Sequence, residues 1–315
     1  MYFCGFLRIK YTMRKLIRFI CAGLCVCAVV GGAVCAFINK ASEAESGGVE
    51  LITVWQIDNF EGGKGSRAEY LRSIGNKFYS ETDIYVDVTA VSADAARANI
   101  SAGTLPDIIS YGSGFYGLES IVDEKDYSVS WCRGAYCLIS INSSDFSAAN
   151  KENTVVNAGR DNLTEVVALL SGLEGATEEA PTAAYVSLIN GEYEYLLGTQ
   201  RDIIRLQTRK QSFNVFPLTC FNDLYQNFSV IAEGEKQSAC RDYIDYVLSE
   251  SENLYKTGMF YGELHLYSDE MNALEKVSAE FTVPPIVSED YISRLKSAAS
   301  AADINMLKSL LKPLK

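Results

Sequence analysis

The apolar positions change rhythm several times along the chain. Residues 19–38 form one uncharged, almost wholly apolar run. The next apolar block, Leu51-Ile-Thr-Val-Trp-Gln-Ile57, is dense in β-branched residues and predicts a buried strand. A glycine-rich loop, Glu61-Gly-Gly-Lys-Gly65, follows it. Ser66-Arg-Ala-Glu69 is a capping-box sequence, and it opens a predicted helix with Tyr70, Leu71, Ile74 and Phe78 on one face. Ile84–Val91 predicts a second strand, Ala93–Ile100 a short helix, and Asp107–Tyr111 a third strand ending at Gly112. The order β-α-β-α-β is the signature of a parallel sheet covered by helices.

After Asp126 the texture changes. Trp131–Ile141 reads as a strand, Leu163–Leu173 and Pro181–Ile189 as helices, and Glu194–Gly198 as another strand. Thr199 caps a helix running to about Arg209. Phe213–Leu218 and Tyr225–Ala232 are strand-like, and the remainder from Glu235 is mostly helical, broken at Pro284-Pro285. The result is two α/β lobes with a helical C-terminal third. The first lobe is expected over about residues 49–126 plus part of 219–315, and the second over about 127–218.

Charge divides the chain as sharply as hydropathy does. No Asp or Glu precedes Glu43, whereas Arg8, Lys10, Arg14, Lys15, Arg18 and Lys40 lie in the first forty residues. Without those six, 22 basic residues of 28 face 40 acids, so the domain beyond Lys40 has net charge −18. Such a domain repels phosphate backbones, which argues against a nucleic-acid partner. A basic stretch before an apolar run is the pattern of an export signal, and the run is long enough to act as an anchor. Residues 1–40 are therefore expected to be a signal peptide or signal-anchor, with translation starting at Met13, and residues 41–48 a polar linker. Cys21, Cys25, Cys27 and Cys35 in the run follow Ile20, Leu24, Val26 and Val34, none of them the small residue a lipidation signal needs. The expected location is extracytoplasmic, with the domain attached to the outer face of the membrane or released from it.

Several motifs bear on chemistry. Gly112-Ser-Gly114-Phe-Tyr-Gly117 matches a dinucleotide fingerprint, but it follows the third strand and no acidic residue stands about twenty positions on. The glycines are read as a turn at the carboxyl end of a strand, the edge where open α/β sheets bind ligands. The loop Phe60–Ser66 resembles a phosphate cradle in position only, since Gly65 follows Lys64 where a P-loop has Ser or Thr. His265 is the single histidine, and no nucleophile elbow is present, which disfavours triad catalysis and a Cys/His zinc site. Cys132, Cys137, Cys220 and Cys240 are expected as buried small hydrophobes. Asp58 with Glu61 is a candidate carboxylate pair for glycoside hydrolysis. Aromatics beside polar residues at strand ends form the more coherent pattern: Trp55 near Gln56 and Asp58, Trp131 near Arg133 and Tyr136, and Tyr225 between Asp223 and Gln226. Flat rings match the apolar faces of sugars, and Asp, Gln and Arg serve hydroxyl pairs.

Three segments carry a family resemblance: Ile52-Thr-Val-Trp-Gln-Ile-Asp58 with Phe60–Arg67, then Ala102-Gly-Thr-Leu-Pro-Asp-Ile-Ile109, then Leu197–Arg205 with Phe213–Leu218 and Asp223–Gln226. Together they resemble the extracellular solute-binding proteins of family 1, the sugar receptors of ABC importers. The resemblance implies a two-lobed periplasmic-binding-protein-like fold of type II, and no enzymatic activity, cofactor or metal. It implies a sugar or oligosaccharide ligand, an ABC permease as membrane partner, and a monomer. Its ligand cleft would draw on Trp55, Asp58, Glu61, Gly112, Ser113 and Gly114 from one side. Trp131, Arg133, Arg201, Asp223 and Tyr225 would come from the other side or the hinge. A secreted glycoside hydrolase, or a membrane-anchored sugar sensor of the same fold, are the alternatives.

Overall fold

The computed structural model describes residues 51–58, 60, 63–122, 128–159 and 162–311. The expected export signal and linker lie outside the described residues. Among the described residues no helix is long and apolar enough to cross a membrane.

The first sheet has the order β2-β1-β3-β11-β4, formed by Tyr85–Val91, Leu51–Ile57, Ile108–Gly112, Tyr225–Val230 and Ser128–Arg133 respectively. Strands β1 and β3 run parallel, with Trp55 opposite Ile109, and β11 runs antiparallel to both β3 and β4. Two helices follow the first strands as predicted: α1 (Arg67–Thr82) and α2 (Ala93–Ser101). Ser66 Oγ accepts the Glu69 N–H and Ser92 Oγ the Ala95 N–H, so each helix begins where a side chain satisfies an orphan donor. Ile52 and Val54 of β1 pack with Leu71, Ile74 and Phe78 of α1, whereas Ile57 and the partly exposed Trp55 join Ala96 and Ile100 of α2 on the opposite face. Strand periodicity of two sorts the chain in this way.

The second sheet has the order β7-β6-β8-β5-β9, from Thr177–Glu179, Thr154–Asn157, Tyr195–Thr199, Tyr136–Ser140 and Asn214–Pro217. Strand β6 runs parallel to β7 and β8, and β5 antiparallel to β8 and β9. Helices α3 (Thr164–Leu170), α4 (Pro181–Ile189) and α5 (Gln200–Thr208) connect these strands. The C-terminal part supplies α6 (Glu235–Ser249), which packs on α1, and α7 (Asp269–Glu275), which packs on α5. Helices α8 (Glu289–Ser300) and α9 (Ile304–Leu310) pack on α3. A two-stranded ribbon pairs β10 (Phe221–Asn222) with β12 (Phe281–Thr282).

The expected strand Trp131–Ile141 is two strands in two different sheets. Residues 128–133 pair with β11 in the first sheet, and residues 136–140 belong to the second. The break falls at Gly134, where a Cβ would stand 2.7 Å from the Gln200 amide nitrogen. Residues 128–133, expected in the second lobe, thus belong to the first sheet. Strands β6 and β7 were not anticipated: at four and three residues they are too short to show a period.

Candidate functional site

Both sheets turn the same kind of edge toward the segments that join them. In the first, β1 ends at Ile57, β3 at Gly112 and β4 at Arg133, while antiparallel β11 starts there at Tyr225. In the second, β6 ends at Asn157 and β8 at Thr199, and antiparallel β5 starts there at Tyr136. Three stretches of chain meet between these edges. Gly134 N donates to Leu224 O (2.6 Å), and Asn222 Nδ2 donates to Gly134 O (2.9 Å). Arg133 and Phe260 exchange both backbone hydrogen bonds at 2.8 Å. The carboxyl ends of parallel strands beside a crossing are where open α/β sheets hold ligands.

The first-sheet edge is built on Asp58. Its Oδ1 accepts from Arg67 Nε (2.7 Å) and from Gln56 Nε2 (3.0 Å), and Arg67 Nη2 donates to Phe60 O (2.6 Å). Arg67 also lies over the Phe60 ring, 4.2 Å from its centroid. Gln226 Nε2 donates to Ile57 O and Ser110 Oγ at 3.2 and 3.1 Å. The Gly112–Gly114 turn is tied down by Ser113 N donating to Tyr225 O (2.8 Å) and Asn227 Nδ2 donating to Ser113 Oγ (3.2 Å). Gly114 takes a φ of 87°, the left-handed region that favours glycine, so this motif serves a turn. The loop at 63–65 is no cradle either. Lys64 N donates to Thr257 O (2.6 Å), and a Cβ at Gly63 would stand 2.3 Å from Gly258 O, so these glycines admit a close backbone approach.

On the second-sheet edge, buried Asp202 accepts from Asn157 Nδ2 (3.0 Å), Thr199 N (3.1 Å) and Arg205 Nη1 (3.1 Å). Arg201 stands beside it in the first turn of α5, half-buried. Between the edges, Asp223 is 2% exposed. Its Oδ1 accepts from the Tyr136 hydroxyl and its Oδ2 from Leu163 N, both at 2.8 Å. Burial pushes the Asp223 carboxyl up to about 6, against these two hydrogen bonds, and the charge of Glu165 adds to the rise. Arg133 lies 5.5 Å from the Phe260 ring centroid and donates to Glu275 O. Burial lowers its guanidinium from the ordinary value. The Glu275 carboxylate, 1% exposed, gathers the preceding 264–265 segment by accepting from Leu264 N (3.0 Å) and His265 N (2.8 Å).

The sequence-predicted residues thus separate. Asp58, Gly112, Ser113, Gly114, Arg133 and Tyr225 share the first-sheet edge, Arg201 stands on the second, and Asp223 lies between. Trp131, expected at the cleft, is 1% exposed and stacks between Tyr70 (5.7 Å) and Phe228 (5.4 Å), with its Nε1 donating to Ser110 Oγ. Both of its faces are covered, so it serves the core. Trp55 sits mid-strand on the α2 face, not at the strand end. Glu61 lies outside the described residues.

Arg67, Asn157 and Asn162 were not among the sequence candidates, and Gln56 and Gln226 appeared only as neighbours of aromatics. Gln56, Arg67, Arg133, Asn162 and Gln226 each keep one buried polar atom without a hydrogen-bond partner among the described residues. Such atoms are costly unless something else satisfies them. Gln56, Arg67, Gln226 and Arg133 lie at the first-sheet edge, whereas Thr164 and Tyr185, on helices of the second lobe, each keep such an atom as well. The readable signal was a polar residue inside an otherwise apolar strand, as in Trp55-Gln-Ile57 and Tyr225-Gln-Asn227.

No family model matches the chain, and neither does any curated protein. Among solved structures, it is similar to iron-bound HitA from Pseudomonas aeruginosa, with a TM-score of 0.50 and 11% identity over 83% of this chain and 99% of that one. Similarity also extends to the maltose-binding periplasmic protein MalE from Listeria monocytogenes in complex with maltose, with a TM-score of 0.48 and 14% identity over 83% and 95%. A third is the substrate binding domain of a putative molybdenum ABC transporter from Clostridium difficile, with a TM-score of 0.46 and 11% identity over 66% and 97%. The fold is the two-lobed, type II periplasmic-binding-protein fold, with a mixed α/β sheet in each lobe.

Proposed function

We propose that this chain is an extracytoplasmic solute-binding protein that captures a carbohydrate between its lobes and delivers it to an ABC importer. The observation that carries the reading is the set of buried polar atoms on Gln56, Arg67, Arg133 and Gln226, residues of the first-sheet edge, that have no hydrogen-bond partner among the described residues. A polar ligand closing onto that edge would complete their hydrogen bonding. A crossing of three hydrogen-bonded chain segments gives such a fold its hinge.

Hydroxyl chemistry suits the donors and acceptors these residues present. The unsatisfied atoms include three amide oxygens, on Gln56, Gln226 and Asn162, and two guanidinium nitrogens, on Arg67 and Arg133. That mixture of acceptors and donors suits hydroxyl groups, which do both. A strongly acidic domain also disfavours anions at long range.

A thermal-shift screen tests this directly. Glucose, maltose, cellobiose and xylobiose are compared with molybdate and ferric citrate. The reading expects at least one saccharide to raise the melting temperature, since a ligand that binds only the folded state stabilises it. A shift with molybdate or ferric iron alone would move the ligand to another class, and no shift with any of them would contradict solute capture.

A further inference from the structure

Helices α4 and α5 both pack on β8 of the second sheet, and one side chain of α4 lies under two cations from the α5 segment. The Arg205 and Arg209 guanidiniums stand 5.6 and 5.2 Å from the centroid of the Tyr185 ring. They are one helical turn apart, a spacing at which like charges repel. Arg205 is neutralised: its Nη1 meets buried Asp202 at 3.1 Å and also reaches Pro181 O at 3.3 Å. Arg209 is exposed, and its side chain has no carboxylate partner among the described residues. Lys210, also exposed, follows it. A guanidinium lying on an aromatic face is held in place while the edge of its fork stays free to donate. Tyr185 itself is 3% exposed, and its hydroxyl is buried without a partner. That condition is costly for a group able to donate.

We infer that Arg209, Arg205 and Tyr185 form an anion site between α4 and α5, away from the facing strand edges, that takes a phosphate group, free or in a lipid headgroup. Arg209 supplies the two-pronged fork that matches phosphate oxygens. Arg205 adds the nitrogens left over from its bonds through Nη1, and the Tyr185 hydroxyl gains the acceptor it lacks. The net charge of −18 beyond Lys40 does not prevent this. Acids elsewhere on the surface are screened beyond about 8 Å at physiological salt, whereas the fork acts at hydrogen-bond range. The site does not depend on what the lobes close on.

Calorimetric titration with inorganic phosphate tests it, at an ionic strength held constant with sodium chloride, on the wild type, Arg209→Gln and Tyr185→Phe. Melting temperatures without phosphate are measured in parallel. Arg209→Gln is expected to weaken phosphate binding at least about ten-fold, the scale of a lost charge-assisted contact. Tyr185→Phe should weaken it about five-fold and leave the melting temperature unchanged or raised, because an unpaired buried hydroxyl is removed. Sedimentation with phosphatidylglycerol vesicles separates the two sources. Retention that Arg209→Gln abolishes assigns the phosphate to a headgroup, and calorimetric binding without retention assigns it to the free anion. Undiminished phosphate affinity in Arg209→Gln would overturn the site, as would a Tyr185→Phe variant that melts lower yet binds phosphate as the wild type does. Absence of both phosphate binding and vesicle retention in the wild type would overturn it as well. None of these results bears on the saccharide screen, so the two readings fail separately.

Discussion

Asp223→Asn tests the electrostatics of the segment between the two sheets. The aspartate ordinarily titrates near 3.8 and here at about 6, because it is buried with a hydroxyl and one N–H as partners. A displacement of that size corresponds to about 3 kcal/mol of ionisation cost at neutral pH, at roughly 1.4 kcal/mol per pH unit. Because the folded-state value is raised, the stability that the protonated carboxyl contributes is complete below about pH 4 and is lost as pH rises through 6. Asparagine cannot ionise, but its single carbonyl oxygen can serve only one of the two donors well. Leu163 N can keep the carbonyl oxygen while Tyr136 Oη must turn from donor to acceptor of the amide NH2, a rearrangement costing about 1 kcal/mol. The variant is expected to be less stable than wild type by that amount at pH 4, and to equal or exceed it at pH 7.5. Urea unfolding at the two pH values, followed by the fluorescence of Trp131 and Trp55, measures the difference. A stability difference between variant and wild type that is the same at both pH values would refute the buried ionisation.

Three further outcomes follow from particular contacts. Trp131→Ala removes a ring stacked between Tyr70 and Phe228 and should cost about 3–5 kcal/mol in denaturant unfolding; a loss under 1 kcal/mol would contradict its place in the core. Gly63→Ala forces a Cβ against Gly258 O and should lower stability by about 1–3 kcal/mol, whereas a neutral result would mean that the 63–65 and 256–258 segments do not touch in solution. Cys132, Cys137 and Cys240 are buried and Cys220 is half-buried. Burial also pushes the Cys132 thiol up to about 12. Native alkylation with iodoacetamide should therefore label Cys220 first among the four, and preferential labelling of Cys132 would contradict the packing.

The first lobe was legible because its elements are long and strongly patterned. Leu51–Ile57 is a strand as read, Ser66 caps the first helix where the capping chemistry placed it, and the second helix starts at Ala93 as read, capped by Ser92. Pro181–Ile189 likewise forms the helix anticipated, Pro181 opening it at a position where no N–H is needed. What escaped was the joint between lobes. Between Trp131 and Ile141 only Arg133-Gly134 marks locally where the chain changes sheets, and what crowds Gly134 is Gln200, sixty-six residues away in sequence. The site followed the same rule. Asp58 and Tyr225 stand at strand ends because strand ends can be read, while Asn157 and Asn162 border a strand too short to announce itself. The tryptophans misled for a physical reason: a large ring beside polar residues fits a sugar face and a stacked core equally well, and only the positions of Tyr70 and Phe228 decide.

The central claim is that the lobes close on a solute held between their facing strand edges. Small-angle X-ray scattering of the protein with and without saturating saccharide, chosen by the thermal-shift screen, measures that closure as a change in radius of gyration. The account predicts a smaller radius with the saccharide bound, and an unchanged radius at saturation would contradict it.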